Sequence, residues 1–357
     1  MSVIKNMKSG FSRIMTVQVI FFSLVLSGCF QEAVKVTEPL PDIIWPKPHE
    51  VPRIRFVNSI SGPQHLRISE GLLKRLFKYF TGRAEMLLVS PHGLAVDSEG
   101  RLYVIDTYLK KVHVFDVKRN NFYTFPEKGV SLTMPIDLAV DNKRGYIFVT
   151  DSAEASIKIF KNGGTENAGE IKRGAIGRPT GIAVNEKTDE LLVVDTMNSN
   201  ILRFDLNDNR LKGIIGSDGQ AHGKFHYPTS IFVSKDGNIL VSDSLNFRIQ
   251  VFSSAGEFIR AFGEAGDSPG YFSRPKGVAA DSDGNIYVVD ALFDNVQIFD
   301  KNGRLLMAFG KPGNYYGEFW LPTGIFIDRD DNIYVSDTYN KRVQVFKYMK
   351  GDEFISP

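Results

Sequence analysis

Six short apolar runs recur along the chain, at residues 102–105, 146–149, 191–194, 239–242, 286–289 and 333–336. Each is nearly unbroken, the pattern of a strand buried on both faces. Around each lie shorter alternating runs separated by turn residues. In the fifth unit, 277–280, 285–289, 295–299 and 304–309 read as four successive strands, with turns at 281–284 and 301–303. Four antiparallel strands joined by tight turns make one twisted sheet with two faces to cover. The units must therefore stack, and closing the stack into a ring removes its exposed ends.

A fixed register underlies the pattern. A proline precedes an aspartate by 15 or 16 residues, and a phenylalanine follows that aspartate by nine. The triplets are Pro91/Asp106/Phe115, Pro135/Asp151/Phe160, Pro179/Asp195/Phe204, Pro228/Asp243/Phe252, Pro275/Asp290/Phe299 and Pro322/Asp337/Phe346. Successive prolines are 44, 44, 49, 47 and 47 residues apart, a propeller-blade period. The pattern predicts an all-β, six-bladed propeller with four antiparallel strands per blade. The sixth unit lacks a fourth strand at the C-terminus, whereas 53–60 resembles 257–262 in the fourth strand of unit four. This N-terminal strand is expected to complete the last blade.

The motifs resemble those of the NHL repeat. The run Asp243-Ser244-Leu245-Asn246-Phe247-Arg248-Ile249-Gln250-Val251-Phe252 is similar to its third-strand signature, as is Asp337-Thr338-Tyr339-Asn340-Lys341-Arg342-Val343-Gln344-Val345-Phe346. The resemblance covers roughly residues 52–350 and departs most in unit two, where Glu154 and Ser156 replace the usual residues. It implies an NHL-type six-bladed propeller.

Residues 1–28 have the form of a signal peptide. Lys5, Lys8 and Arg13 precede a 13-residue, mostly apolar stretch from 14 to 26, too short for an ordinary membrane span. It ends in Leu26-Ser27-Gly28-Cys29, which resembles a bacterial lipobox. Lipidated Cys29 would anchor the chain in a membrane of the cell envelope. The absence of aspartate after Cys29 favours, by resemblance to Gram-negative lipoproteins, the outer membrane. Residues 29–51, rich in proline, read as a tether, 52–350 as the propeller and 351–357 as a tail. Cys29 is the only cysteine, so disulfides and cysteine-ligated metals are not expected.

Charge narrows the partners. The whole chain carries +2, and removing 1–28 takes away three cations and no acid, leaving about −1. A nucleic-acid partner is not expected of so balanced a chain. The expected ligand is a protein, peptide or glycan, and a place as subunit of an envelope assembly is a further reading.

Propellers place ligands at the mouth of the central channel. The residues following the six prolines are His92, Ile136, Thr180, Thr229, Lys276 and Thr323, and Asp137 is the lone acid in the next ring. The candidate site is therefore His92, Asp137, Thr180, Thr229, Lys276 and Thr323. The lyase domain of peptide-amidating enzymes resembles this fold and holds zinc by histidines after such prolines, but only Pro91 here is followed by histidine. Calcium-dependent lactonase propellers imply an axial acid cluster that Asp137 alone does not supply. No metal or other cofactor is expected, and His222 and His226 read as solvated loop residues. The alternative function is a lyase or hydrolase using His92, Asp137 and Lys276.

The repeated aspartates read as turn fixers, since each closes a strand before a turn. Aromatics that the repeat does not require, Tyr227, Tyr271, Tyr315, Tyr316 and Trp320, form a candidate recognition patch. An insertion lengthens the loop before Pro91 to 28 residues after Gly62, against 11 between Gly263 and Pro275. Its Leu72, Leu73, Leu76, Phe77 and Phe80 fall on one helical face, predicting a helix within 66–82. That helix reads as packed on the propeller rim, with a lid or a basic membrane contact as alternatives.

Overall fold

In the computed structural model, residues 40–68, 87–127, 129–172, 174 and 176–350 are described. Blade one pairs Pro91–Val96, Leu102–Asp106, Lys111–Asp116 and Asn121–Phe125 antiparallel, in chain order. Every residue of its second strand is buried, as the apolar runs require. Blades two, three, four and five repeat this order over 135–172, 179–215, 228–262 and 275–309. The inner strands touch their neighbours all round, and the sixth touches the first. The ring is thus an all-β, six-bladed propeller.

The repeated register is a set of structural devices. Each blade-opening proline through blade five faces its aspartate across the first two strands, and starting a strand with proline sacrifices no ladder donor. Buried Asp337 accepts hydrogen bonds from Trp320 N (2.8 Å), Arg342 Nε (2.7 Å) and Gln344 Nε2 (3.0 Å), and from Asn340 Nδ2. It ties the approach loop, the turn and the third strand together. Asp243 does the same for His226 N, Asn246, Arg248 and Gln250. The hydroxyl after the aspartate links blades. Thr196 donates to the Pro228 carbonyl, Ser244 to that of Pro275 and Thr338 to that of Pro91, each at 2.7 Å. The last of these joins blade six to blade one. Phe225, Phe272 and Phe319 are fully buried.

The closing sheet has five strands in the order Ile44–Trp45, Ile54–Ile60, Arg342–Tyr348, Asn332–Asp337 and Ile325–Ile327. The N-terminal strand pairs Ile54 with Tyr348 and Ile60 with Val343, closing the ring. The structured region reaches further towards the N-terminus than the expected boundary at residue 52. Ile44–Trp45 adds a strand, and Trp45 packs on Phe309 and Phe346 at 5.7 and 5.8 Å between ring centroids. The indole occupies the space beside Gly317, where a Cβ would stand 2.7 Å from it. The expected signal peptide, Cys29, the C-terminal tail and most of the inserted helix lie outside the described residues. The insertion's start, Pro63–Leu66, is a 3-10 turn.

Candidate functional site

The first strands bring His92, Asp137, Thr180, Thr229 and Lys276, and the loop just before the sixth brings Thr323, to the wall of one cavity at the channel mouth. Arg178, Thr196, Tyr227 and Ser230 share the wall. The cavity holds about 120 Å³, near the ~150 Å³ at which an engineered protein cavity admits benzene. Further along the first strands, Phe232 of blade four and Phe326 of blade six stand 6.3 Å apart between ring centroids, past the intervening blade five. These rings narrow the channel inward of the mouth and make the cavity a cup.

The threonines have a fixed polarity. The single hydroxyl proton of Thr196 goes to the Pro228 carbonyl, so the 2.7 Å contact with Thr180 is donated by Thr180. By the same reasoning Thr229 donates to Ser244 at 2.6 Å and Thr323 to Thr338 at 2.8 Å. All three thus spend their protons within the blades and leave only lone pairs for a ligand.

His92 is an acceptor as well. Its Nδ1–H donates to the Ile136 carbonyl at 3.0 Å, which leaves the Nε2 lone pair. Burial, reinforced by the charge of Lys276, pushes its pKa down to about 4, so the ring is neutral at pH 7. Asp137 accepts from Leu138 N at 2.9 Å and Ile182 N at 3.4 Å. Burial outweighs these bonds and pushes it up to about 7. Asp137 stands where it does because blade one has Gly93 opposite: a Cβ there would lie 2.4 Å from Asp137 Oδ1 and 2.5 Å from its Cα.

Lys276 supplies the donor. Burial, then the charges of Arg274 and Arg178, bring it down to about 8, so it is still mainly cationic at pH 7. Arg178 donates to the Tyr227 hydroxyl at 2.8 Å, and its guanidinium carbon stands 5.9 Å from that ring's centroid. The cup therefore offers a cationic point, a basic rim and a wall of acceptors. That combination suits an anionic group carried by a molecule that also has N–H or O–H donors.

Of the five predicted recognition aromatics, Tyr227 lines the cup. Tyr316 packs on Phe56 at 5.2 Å and Trp320 on Tyr339 at 5.5 Å. Tyr271 and Tyr315 stand on their own approach loops, where their carbonyls accept from Gln297 and Arg342. Arg178 escaped the sequence reading because it precedes its proline, and the register of residues before the prolines was the signal that would have found it. His222 stacks on Phe258 at 4.6 Å, whereas His226 Nδ1 contacts Asp218 Oδ1 at 3.2 Å. Among the described residues no group of three histidine, cysteine or acidic side chains is placed to hold a metal.

Comparison with known proteins agrees with this architecture. Residues 220–291 and 279–356 match the family described as 6-bladed beta-propeller, and 88–115 match the NHL repeat. The fold is that of a six-bladed β-propeller, with one stretch that matches the NHL repeat. Over 95 residues it is 34% identical to Protein brain tumor of Drosophila melanogaster, a match spanning 26% of this chain and 9% of that protein. Among solved structures, an auxiliary nutrient binding protein from Bacteroides thetaiotaomicron is similar at TM-score 0.56 and 12% identity, covering 74% of this chain and 70% of that one. Virginiamycin B lyase from Staphylococcus aureus is similar at TM-score 0.54 and 14% identity, covering 73% and 96%. A catalytically inactive His-to-Ala variant of that lyase, solved with quinupristin, is similar too. These likenesses show the fold.

Proposed function

We propose that this protein is an envelope lipoprotein, anchored through Cys29, whose propeller binds a protein, peptide or glycan at the channel mouth. One observation carries the binding assignment. The surrounding ring repeats, yet the six positions facing the mouth carry His92, Ile136, Thr180, Thr229, Lys276 and Thr323. A symmetric frame thus holds an asymmetric cup, in which one half-buried ammonium shares the wall with the threonine oxygens, His92 and Asp137. The first test is calorimetric titration with glutarate as the anionic probe. Binding that Lys276→Met weakens at least tenfold supports the site, and absence of glutarate binding removes it. For the anchor, radiolabelled palmitate should enter the parent and not Cys29→Ser, and the variant should leave the membrane fraction.

The second reading is a lyase or hydrolase. It rests on the neutral His92, whose Nε2 is left as a base while Nδ1 is held by Ile136, beside an Asp137 brought near neutrality. Perturbed groups of this kind concentrate at functional sites, and a similar structure is that of a lyase inactivated by a histidine change. Turnover of quinupristin by the parent and its loss in His92→Ala would favour this reading.

A further inference from the structure

The turn after each second strand places its second residue outward. At that position stand Tyr108, Met197, Leu245, Leu292 and Tyr339, between 47% and 74% exposed. Blade two differs, with Ala153 followed by Glu154. Turn apices are ordinarily polar, and nothing in this turn's geometry asks for an apolar residue there. The conformational demand falls two residues later, where Lys110, Ser199, Phe247, Asp294 and Lys341 all take φ between 49° and 57°. The aspartate fixes the outward residue in place, accepting from Tyr108 N and Leu292 N at 3.1 Å.

These residues surround the cup. Each turn is bonded to the approach loop of its own blade, for example Thr196 N to the Arg178 carbonyl, Ala291 N to that of Arg274 and Tyr339 N to that of Trp320. The loops that lead to the mouth and the apolar turns thus form one face. An exposed apolar ring around a polar hollow has the layout of an interaction surface, since scattered apolar residues would not share one register and one face.

We propose that this ring and the cup together dock a protein partner that inserts an acidic side chain between apolar neighbours. The proposal rests on the reading of the channel mouth as a binding site. Charge complementarity selects the occupant: Lys276 and Arg178 in the wall of the cup and Arg274 beside it call for a carboxylate, while the surrounding residues call for leucine, methionine or aromatic flanks. A flat membrane would seal the ring but leave the Lys276 ammonium buried without a counter-charge, which is costly. A second copy placed face to face would oppose two cationic cups. A protruding acidic segment satisfies both parts at once.

The test uses the full chain carrying Cys29→Ser and a displayed library of random nonapeptides. Selected peptides are expected to share an aspartate or glutamate flanked by apolar residues. A synthetic peptide of that consensus should bind at least tenfold more weakly to Lys276→Met. It should also bind at least tenfold more weakly to the triple change Tyr108→Ser, Met197→Ser and Leu292→Ser, which is confined to exposed positions and should leave the melting temperature unchanged. Glutarate should bind parent and triple variant alike. Peptide binding that the triple variant retains, or a consensus without an acid, overturns the proposal while glutarate binding keeps the cup. No glutarate binding to the parent overturns the underlying reading instead. Flotation with phosphatidylglycerol vesicles that the triple variant abolishes makes the ring a membrane surface and also overturns the proposal.

Discussion

His92 is held neutral by two separable causes. Burial comes first and the Lys276 charge second, so Lys276→Met should remove one and leave the other. The His92 pKa, followed by NMR, is expected to rise from about 4 towards 6.5 in that variant without reaching it. An unchanged value would mean that the ammonium does not face the imidazole. Gly93 gives a second residue-scale prediction. A methyl there meets Asp137 at 2.4 Å, and the backbone Cα at 2.5 Å cannot swing away. Gly93→Ala should cost about 1–3 kcal/mol, read from chemical denaturation. The six candidate mouth residues were legible in the sequence because each follows a proline in register, by two positions for Asp137 and by one for the others. Their protonation was not, because it depends on a contact between blades: the Ile136 carbonyl that orients His92 lies 44 residues away.

Among the elements, the strand that closes the ring and the aspartate that anchors each turn carry the most weight. Asp337 is fully buried and leaves four donors unmatched if removed. Asp337→Ala should therefore destabilise by about 3–5 kcal/mol, the range for breaking a buried charged pair, seen as a lower denaturation midpoint. Deleting 52–60 removes the strand paired with Arg342–Tyr348 and should lower the melting temperature in a single cooperative step. A deletion variant that melts like the parent would refute closure by this strand. That closure was legible because 53–60 resembles the fourth strand of another blade. Ile44–Trp45 was not, since two residues followed by Pro46 and Pro48 look like tether. What seats them is the room beside Gly317 and the Phe309 and Phe346 rings, which is tertiary information.

For the whole molecule, two histidines shape the acid limb of stability, His113 fully buried and His92 half-buried. His92 and His113 are both pushed down to about 4 by burial, the latter despite nearby Asp106. Between about 4 and 6.5 the unfolded chain binds more protons at these groups, so stability falls as pH drops through that window. Asp137, pushed up to about 7, has the opposite slope: the folded protein holds its proton, and stability falls as pH rises from 3.8 to 7. His113 occupies the place held by Gln250, Gln297 and Gln344 in blades four to six, with both ring nitrogens unpartnered among the described residues. His113→Gln should flatten the acid limb, so that its midpoint exceeds the parent's by more at pH 5 than at pH 7.5. The repeat revealed the ring because periodic features are written six times. The cup's chemistry arises where blades differ, and single departures carry no period to betray them.

The closing strand also has a consequence for the order of events during synthesis. Ile54–Ile60 emerges from the ribosome before any of the six blades, yet its partner Arg342–Tyr348 emerges after every other strand of the propeller. Until then its buried residues Ile54, Phe56 and Ile60 have nothing to pack against, and its backbone is an open pairing edge, the kind that recruits other chains. Completion of the ring therefore waits until the last strand of the sixth blade has been made. A nascent chain released early would carry an unpaired strand at its leading end, making truncated products the species most prone to aggregate.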